Sequence, residues 1–163
     1  MQTPGSPIRL LVLDVDGVLT DGRLYYGRGG EVAKAFHVRD GYGLRRALDA
    51  GLQIAVISGR PSEGAAQRLR ELGIRHVFLD CREKRKTLTR LQEELNIESA
   101  ATAVMGDDIP DLEMMGLAGL KIAVKDAHPD ILRQADFITT LKGGRGAVRE
   151  VCDALLADAA PAS

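Results

Sequence analysis

The sequence predicts an open, doubly wound α/β fold built on a mostly parallel β-sheet. Continuous apolar runs of strand length recur along the chain, and segments with helical spacing of apolar residues separate them. The length of 163 residues suits a single domain. Strands and helices therefore alternate at the spacing of βαβ units, and functional groups are expected beyond the carboxyl ends of the strands.

The predicted strands are short apolar runs without polar alternation, which is typical of strands buried on both faces of a sheet. They span residues 8–13, 53–57, 102–105 and 120–124, with a weaker run at 76–79. The predicted helices span residues 41–50, 62–72, 84–95, 111–117 and 147–156. Gly73 suits the position just after a helix end, where glycine adopts a left-handed conformation most easily.

One stretch interrupts this alternation. Two short apolar segments flank the glycine-rich sequence Gly27-Arg28-Gly29-Gly30, which predicts a small β-hairpin over about residues 24–37. Residues 8–157 are expected to form the single domain. Residues 1–7 are expected to be a disordered or extended tail, and residues 158–163 a flexible end.

Composition and charge exclude several kinds of partner. The 22 basic and 23 acidic residues sum to −1, so no basic excess points to nucleic acid. No apolar run approaches the roughly 20 residues that a membrane span needs. The two cysteines, Cys81 and Cys152, lack metal-ligand spacing. We therefore expect a cytoplasmic protein with free thiols and no membrane or nucleic-acid partner.

Two acidic clusters follow predicted strands. Asp14 and Asp16 follow the first strand, and Asp107, Asp108 and Asp111 follow the strand at 102–105. Taken alone, the first cluster also fits an ordinary acidic turn and the second a helix N-cap. Parallel strands bring both clusters to one sheet edge, where crowded carboxylates need a cation. Oxygen ligands without His or Cys favour Mg²⁺ over Zn²⁺.

Two further groups could bind an anion near the same edge. Ser58 follows the strand at 53–57 and precedes a predicted helix, so its hydroxyl and the nearby N–H groups suit an anion site or, equally, an N-cap. Lys84 opens the helix at 84–95 within a charge run whose other members suit a solvated surface. Only one lysine is needed for a site at this edge.

In this order, these motifs resemble the four motifs of the haloacid dehalogenase phosphatase superfamily. More closely, four segments are similar to the 3-deoxy-D-manno-octulosonate 8-phosphate phosphatases: residues 36–43, 58–60, 124–129 and 143–151. The resemblance extends over about residues 10–156. It implies the haloacid dehalogenase fold without a cap domain, because only the hairpin lies between Thr20 and Arg39.

The resemblance implies hydrolysis of a phosphate monoester through a covalent aspartyl phosphate. Asp14 is the implied nucleophile, and Asp16 the implied general acid and base. Ser58 and Lys84 are implied to bind the phosphoryl oxygens. The implied Mg²⁺ ligands are Asp14, the backbone carbonyl of Asp16, and Asp107, with Asp108 and Asp111 as supports around them.

The resemblance also implies the substrate, the anionic sugar 3-deoxy-D-manno-octulosonate 8-phosphate of lipopolysaccharide precursor biosynthesis. Arginine suits the carboxylate of a sugar acid. The positions that match substrate contacts of the family are Asp16, His37, Val38, Arg39, Asp40, Gly41, Arg45, Arg60, Arg68 and Lys84. Family members without a cap form homotetramers, in which neighbouring hairpins and C-terminal tails complete the site. A homotetramer with residues 143–146 near a neighbouring site is therefore expected.

Two other functions fit parts of the pattern. A phospho-receiver signalling domain also combines an acidic pair, a hydroxyl and a lysine, but its acceptor aspartate ends the third strand. Here the central strand at 53–57 ends in Ser58, and a second acidic cluster lies far downstream. A sialic-acid or deaminated-sialic-acid (KDN) 9-phosphate phosphatase on the same scaffold is the nearer alternative. Arg60 favours the octulosonate, because the nonulosonate relatives tend to carry glutamate at that position.

Overall fold

The computed structural model of the chain describes residues 7–159. Its centre is a six-stranded parallel sheet in the order β5-β4-β1-β6-β7-β8. The strands are β1 (Leu10–Leu13), β4 (Gln53–Ile57), β5 (His76–Phe78), β6 (Thr102–Gly106), β7 (Leu120–Ala123) and β8 (Phe137–Ile138). The predicted parallel α/β fold is confirmed.

Within residues 7–159, six α-helices flank this sheet. They are α1 (Val38–Asp49), α2 (Glu63–Glu71), α3 (Lys84–Leu95), α4 (Leu112–Met115), α5 (Pro129–Gln134) and α6 (Ala147–Ala159). Helices α1 and α6 pack against each other, and α3 packs against α4. Among residues 7–159, no helix is long and apolar enough to cross a membrane.

Strand β1 lies in the middle of the sheet, and every residue of it is fully buried. It pairs in parallel with β4 on one side and with β6 on the other, so that Leu13 lies opposite both Val56 and Met105. This register brings the carboxyl ends of the three strands to one level. The loops that follow β1, β4 and β6 therefore meet at a single edge of the sheet.

The short elements β2 (Tyr25–Gly27) and β3 (Gly30–Ala33) form an antiparallel hairpin. The predicted hairpin is thus confirmed, although its strands are shorter than the segments that predicted it. Gly30 has φ +110°, a conformation that glycine adopts without steric cost. Between Thr20 and Val38 the chain contains only this hairpin, which leaves no room for a cap domain.

The sequence missed two elements, α5 and β8. Helix α5 has six residues and β8 has two, which is too short for either to show a periodic apolar pattern. Helix α1 begins three residues before the predicted start at residue 41, and Asp40 in its first turn packs inward against α6. Helix α6 continues to Ala159, past the predicted domain end at 157. Most of the two predicted tails, residues 1–6 and 160–163, lies outside the described residues.

Candidate active site

The catalytic loop, residues 14–21, leaves strand β1 in an irregular helical turn over Val15–Leu19. Gly17 has φ +87°, and a Cβ placed there would lie 2.0 Å from Asp107 Oδ2. Glycine at this position thus permits the turn and also allows Asp107 to come close. The two acidic clusters meet because their strands are neighbours and because Gly17 has no side chain.

Three carboxylates crowd together at this point. Asp14, Asp107 and Asp111 each offer an oxygen, and these atoms all lie within 4.8 Å of one another. Asp111 is 1% exposed and Asp14 is 9% exposed. The sequence predicts Asp111 only as a support around the metal ligands, whereas in the structure its carboxylate is part of the cluster itself.

The crowding changes the acidity of two of these groups. Burial, followed by the Asp111 and Asp14 carboxylates, raises the pKa of Asp107 to about 8. Burial and the Asp111 carboxylate raise the pKa of Asp14 to about 6, although the Lys84 ammonium opposes this. Both carboxylates therefore lack enough positive charge around them when no cation is bound.

Lys84, the first residue of α3, is the ammonium nearest to this cluster. Its Nζ lies 2.8 Å from Asp111 Oδ1 and 3.2 Å from Asp14 Oδ1. Burial by itself lowers the pKa of Lys84, but the Asp111 and Asp14 carboxylates outweigh it and raise the pKa. One ammonium faces three carboxylates, so the cluster keeps an excess of negative charge that a divalent cation would neutralise.

A cation fits the donor set that remains. Asp107 Oδ1 is buried and has no hydrogen-bond partner among residues 7–159. All the available ligand atoms are oxygens, which is the set that Mg²⁺ prefers. Asp14 and Asp107, the two carboxylates expected to bind the metal, both lie in this cluster, and the backbone of Asp16 lies on the same loop as Asp14.

Asp111 and Asp108 hold the second acidic loop in shape. Asp111 Oδ2 accepts hydrogen bonds from the backbone N–H of Asp107 at 3.0 Å and of Asp108 at 3.4 Å. Asp108 Oδ1 accepts from the N–H of Ile109 at 2.8 Å. The N-cap interpretation of this cluster is thus also correct, because the cap orients the loop that carries Asp107.

The carboxylates open onto a cavity of about 330 Å³ at the sheet edge. Its walls carry the predicted phosphate-binding groups together with both acidic loops. The lining residues are Asp14, Asp16, Gly22, Leu24, Ser58, Gly59, Arg60, Lys84, Asp107, Asp108, Pro110 and Asp111. Eight predicted site residues therefore share this cavity: Asp14, Asp16, Ser58, Arg60, Lys84, Asp107, Asp108 and Asp111.

The hairpin reaches the same cavity from outside the sheet. The Lys34 ammonium, just after β3, forms an ion pair with Asp16 Oδ1 and lies 3.2 Å from Glu31 Oε2. Tyr26 OH accepts a hydrogen bond from Arg60 Nη2 at 2.8 Å. The sequence analysis did not identify Lys34, Glu31 or Tyr26, because no motif marks them and their contacts depend on how the hairpin folds back.

The other seven predicted substrate contacts do not line this cavity within the subunit. They are His37, Val38, Arg39, Asp40, Gly41, Arg45 and Arg68. Arg45 Nη1 donates to the Leu72 carbonyl at 3.1 Å, and Arg68 Nη1 lies 3.5 Å from Glu71 Oε2. Their contact with substrate stays a prediction.

Asp40, one of these seven residues, is buried against the start of α6. It is 1% exposed, and its carboxylate accepts hydrogen bonds from the backbone N–H groups of Gly146 at 3.2 Å and Arg149 at 2.8 Å. Burial raises the pKa of Asp40, while these N–H groups oppose the shift. Within the subunit, the Asp40 carboxylate holds the start of α6.

The glycine-rich segment before α6 packs against the catalytic loop of its own subunit. The Gly144 N–H donates to the Val18 carbonyl at 2.9 Å. A Cβ at Gly143 would lie 1.7 Å from the Gly17 carbonyl oxygen. The sequence predicts this segment near the site of a neighbouring subunit. In the structure, the segment also packs directly behind Gly17 of its own subunit.

Comparison with known proteins agrees with this geometry. A family profile described as haloacid dehalogenase-like hydrolase matches residues 81–150. The fold and the site thus place the chain in that class of hydrolases. The 3-deoxy-D-manno-octulosonate 8-phosphate phosphatase of Salmonella typhi is 47% identical over 156 residues, which cover 96% of this chain and 83% of the relative.

Two solved structures are similar over most of the chain. The phosphatase of the same name from Yersinia pestis has a TM-score of 0.89 and 45% identity, and the match covers 92% of this chain and 81% of that one. The Moraxella catarrhalis phosphatase, in complex with magnesium, phosphate and KDO, has a TM-score of 0.88 and 41% identity over 92% of this chain and 86% of that one. This chain belongs to the 3-deoxy-D-manno-octulosonate 8-phosphate phosphatase family.

Proposed function

We propose that this protein hydrolyses 3-deoxy-D-manno-octulosonate 8-phosphate to the free sugar acid and phosphate, using Mg²⁺. The observation that carries the proposal is the convergence of Asp14, Asp107 and Lys84 on one cavity, in a chain 47% identical to a phosphatase of that name. The reaction is a step in the biosynthesis of lipopolysaccharide precursors. The proposed cofactor follows from the oxygen-only donor set.

The first step is attack by Asp14 on phosphorus. A carboxylate oxygen of Asp14 forms a bond to phosphorus as the bond from phosphorus to the sugar oxygen breaks, which yields an aspartyl phosphate. Asp16 gives a proton to the departing sugar oxygen. Lys84 and Ser58, both buried in the cavity wall, stabilise the charge on the phosphoryl oxygens.

The second step returns the enzyme to its starting state. Asp16, now a carboxylate, takes a proton from water, and the water oxygen attacks phosphorus and releases Asp14. Asp14, the backbone carbonyl of Asp16, and Asp107 would hold Mg²⁺, with Asp111 and Asp108 orienting the loop of Asp107. When bound, the cation neutralises charge between these carboxylates and the phosphate.

Recognition of the sugar acid rests on Arg60. Its guanidinium lies at the cavity wall with its Nε 3.6 Å from Asp16 Oδ2, and its side chain is 40% exposed. A planar, permanently charged group suits the substrate carboxylate. The contacts predicted for Arg39, Arg45 and Arg68 are proposed to come from an assembled neighbour, because these residues do not line the cavity of their own subunit.

A homotetramer in the cytoplasm is part of the proposal. The cavity is open in a single subunit, so a neighbour is needed to exclude water from the reaction. The hairpin exposes apolar side chains that suit such an interface, including Tyr26 at 62% and Val32 at 66% exposure. Both cysteines are free, as expected in a reducing compartment.

The test is phosphate release in the presence of Mg²⁺ from octulosonate 8-phosphate and from a nonulosonate 9-phosphate. We expect a preference for the octulosonate of about 10-fold or more in kcat/KM, and no release in excess EDTA. A clear preference for the nonulosonate would reverse the substrate assignment.

The same assay tests the nucleophile. Asp14→Asn removes the attacking oxygen, so kcat is expected to fall by at least about 10³-fold. Asp49→Asn, at the exposed end of α1, is the matched control and should leave kcat unchanged. Full turnover by Asp14→Asn would contradict the aspartyl-phosphate mechanism.

A further inference from the structure

Lys34 is the least explained charged group near the cavity. Its side chain is only 1% exposed, which is rare for lysine and requires compensating partners. The partners are two carboxylates, Asp16 and Glu31, from the catalytic loop and the hairpin. A hairpin could be held in place without burying an ammonium, so this arrangement needs a reason.

The contacts divide the two oxygens of Asp16 between different tasks. Oδ1 is paired with the Lys34 ammonium. Oδ2 is buried and has no hydrogen bond within residues 7–159, and Arg60 Nε lies 3.6 Å from it. The oxygen free to exchange a proton is therefore Oδ2.

A second set of contacts holds Lys34 itself. Glu31 Oε1 accepts a hydrogen bond from Ser62 Oγ at 2.6 Å, and Ser62 is the N-cap of α2. Burial raises the pKa of Glu31, but the Ser62 hydroxyl and the Lys34 ammonium outweigh it and hold the pKa below its usual value. Lys34 is thus anchored to the rigid end of a helix through a carboxylate that stays charged.

We propose that Lys34 is a positioning residue for Asp16, which it holds by Oδ1 so that Oδ2 faces the oxygen that leaves phosphorus. The proposal rests on the proposed function, in which Asp16 protonates that oxygen. The hairpin then acts on its own subunit's cavity, in addition to any part it has in assembly. Without Lys34, Asp16 can rotate about its side-chain bonds and Oδ2 leaves the position needed for proton transfer.

The leaving group distinguishes this role from a merely structural one. An alkyl phosphate releases a strongly basic alkoxide and needs a proton from Asp16. The p-nitrophenolate released from p-nitrophenyl phosphate leaves without one. A variant that loses the positioning of Asp16 should therefore form the aspartyl phosphate more slowly from the first substrate and at nearly the wild-type rate from the second.

The variant is Lys34→Met, which keeps the length and apolar stem of the side chain and removes the charge. For octulosonate 8-phosphate, or for a simple alkyl phosphate, kcat/KM is expected to fall about 10- to 100-fold, part of what a general acid contributes. This ratio reports the steps up to departure of the leaving group, so the later step, in which Asp16 acts as a base on either substrate, does not enter it. Lys34 does not line the cavity, so substrate binding itself should change little. For p-nitrophenyl phosphate, kcat/KM should stay within about 3-fold of wild type, since departure of p-nitrophenolate needs no general acid.

Two further variants complete the test. Lys86→Met is the matched control, because Lys86 is 78% exposed and pairs only with Glu83 among the described residues, so both activities should be unchanged. Glu31→Gln weakens the anchor of Lys34 and should give a smaller loss with the same leaving-group dependence. It covers the case in which Lys34→Met fails to fold.

Equal losses of kcat/KM on both substrates, or no loss on either, would overturn the positioning role of Lys34. The alkyl and nitrophenyl phosphates decide this point whichever sugar the enzyme prefers. A wild-type preference for the nonulosonate would overturn the proposed substrate and leave the leaving-group comparison intact. The two proposals can therefore fail separately.

Discussion

At the scale of single residues, the site is dominated by charges that the fold does not balance. The three carboxylates of Asp14, Asp107 and Asp111 face a single ammonium, that of Lys84. The resulting rise in pKa is larger for Asp107 than for Asp14. A carboxyl group with a raised pKa is one whose ionisation opposes folding. The same imbalance makes the cluster ready to bind a cation.

This imbalance predicts an unusual pH dependence of stability for the metal-free protein. The folded-state pKa of Asp107 is about 8, above its value of 3.8 in an unfolded chain. The folded state therefore binds more protons, and its stability falls as pH rises from about 4 to about 8. The loss from this group between pH 5 and pH 8 is on the order of 3 kcal/mol.

The measurement is urea unfolding in EDTA at pH 5 and pH 8. Addition of Mg²⁺ at pH 8 should restore the lost stability, because the cation takes the place of the proton. Asp107→Asn is the comparison variant and should show a smaller difference between the two pH values. An equal difference in wild type and variant would contradict the assignment to Asp107.

At the scale of elements, two segments support the catalytic loop from opposite sides. The hairpin reaches Asp16 through Lys34, and the glycine-rich segment before α6 lies behind Gly17 and Val18. Asp40 in α1 joins this segment to the rest of the fold. The loop that carries the chemistry is therefore supported by elements far from it in sequence.

Gly143 tests the support from behind the loop. In Gly143→Ala the new methyl group would lie 1.7 Å from the Gly17 carbonyl oxygen, a backbone atom that can move only with the loop. We expect a loss of about 1–3 kcal/mol in unfolding free energy, together with a lower kcat.

The control for this substitution is Gly29→Ala in the hairpin turn, where a Cβ meets nothing within 4 Å. Thermal unfolding and phosphate release should both be close to wild type in this variant. If Gly143→Ala behaved in the same way as the control, the glycine-rich segment would not support the loop.

At the scale of the whole molecule, the subunit has an open cavity and an apolar hairpin beside it. Leu24, Tyr25, Tyr26 and Val32 are each more than 40% exposed. Such a cluster is typical of an interface between subunits. The proposed tetramer would cover these side chains and close the cavity at the same time.

Light scattering at micromolar concentration is expected to give the mass of four chains. Val32→Glu places a charge on the most exposed of these hairpin side chains and should shift the mass toward smaller species. Lys86→Met, on the exposed surface of α3, should leave the mass unchanged. A wild-type mass of one chain would contradict the tetramer.

Much of the fold and the heart of the site could be predicted from the sequence. Strands buried in a parallel sheet have continuous apolar sequences, which makes them recognisable. The residues that follow them could therefore be placed at one sheet edge. Asp14, Ser58, Lys84 and Asp107 were found in this way, and each lines the cavity. Helix α5 and strand β8 were missed because elements of six and two residues carry no period.

The sequence by itself determined the order along the chain of the longer strands and helices and the chemical type of the site, since both follow from local patterns and from motifs next to strand ends. Only the tertiary structure decided which charges meet. It paired Lys34 with Asp16, turned Asp40 toward α6 and brought Asp111 against Lys84. These contacts join residues 18 to 109 positions apart, so they depend on how separate elements pack and leave no local pattern in the chain.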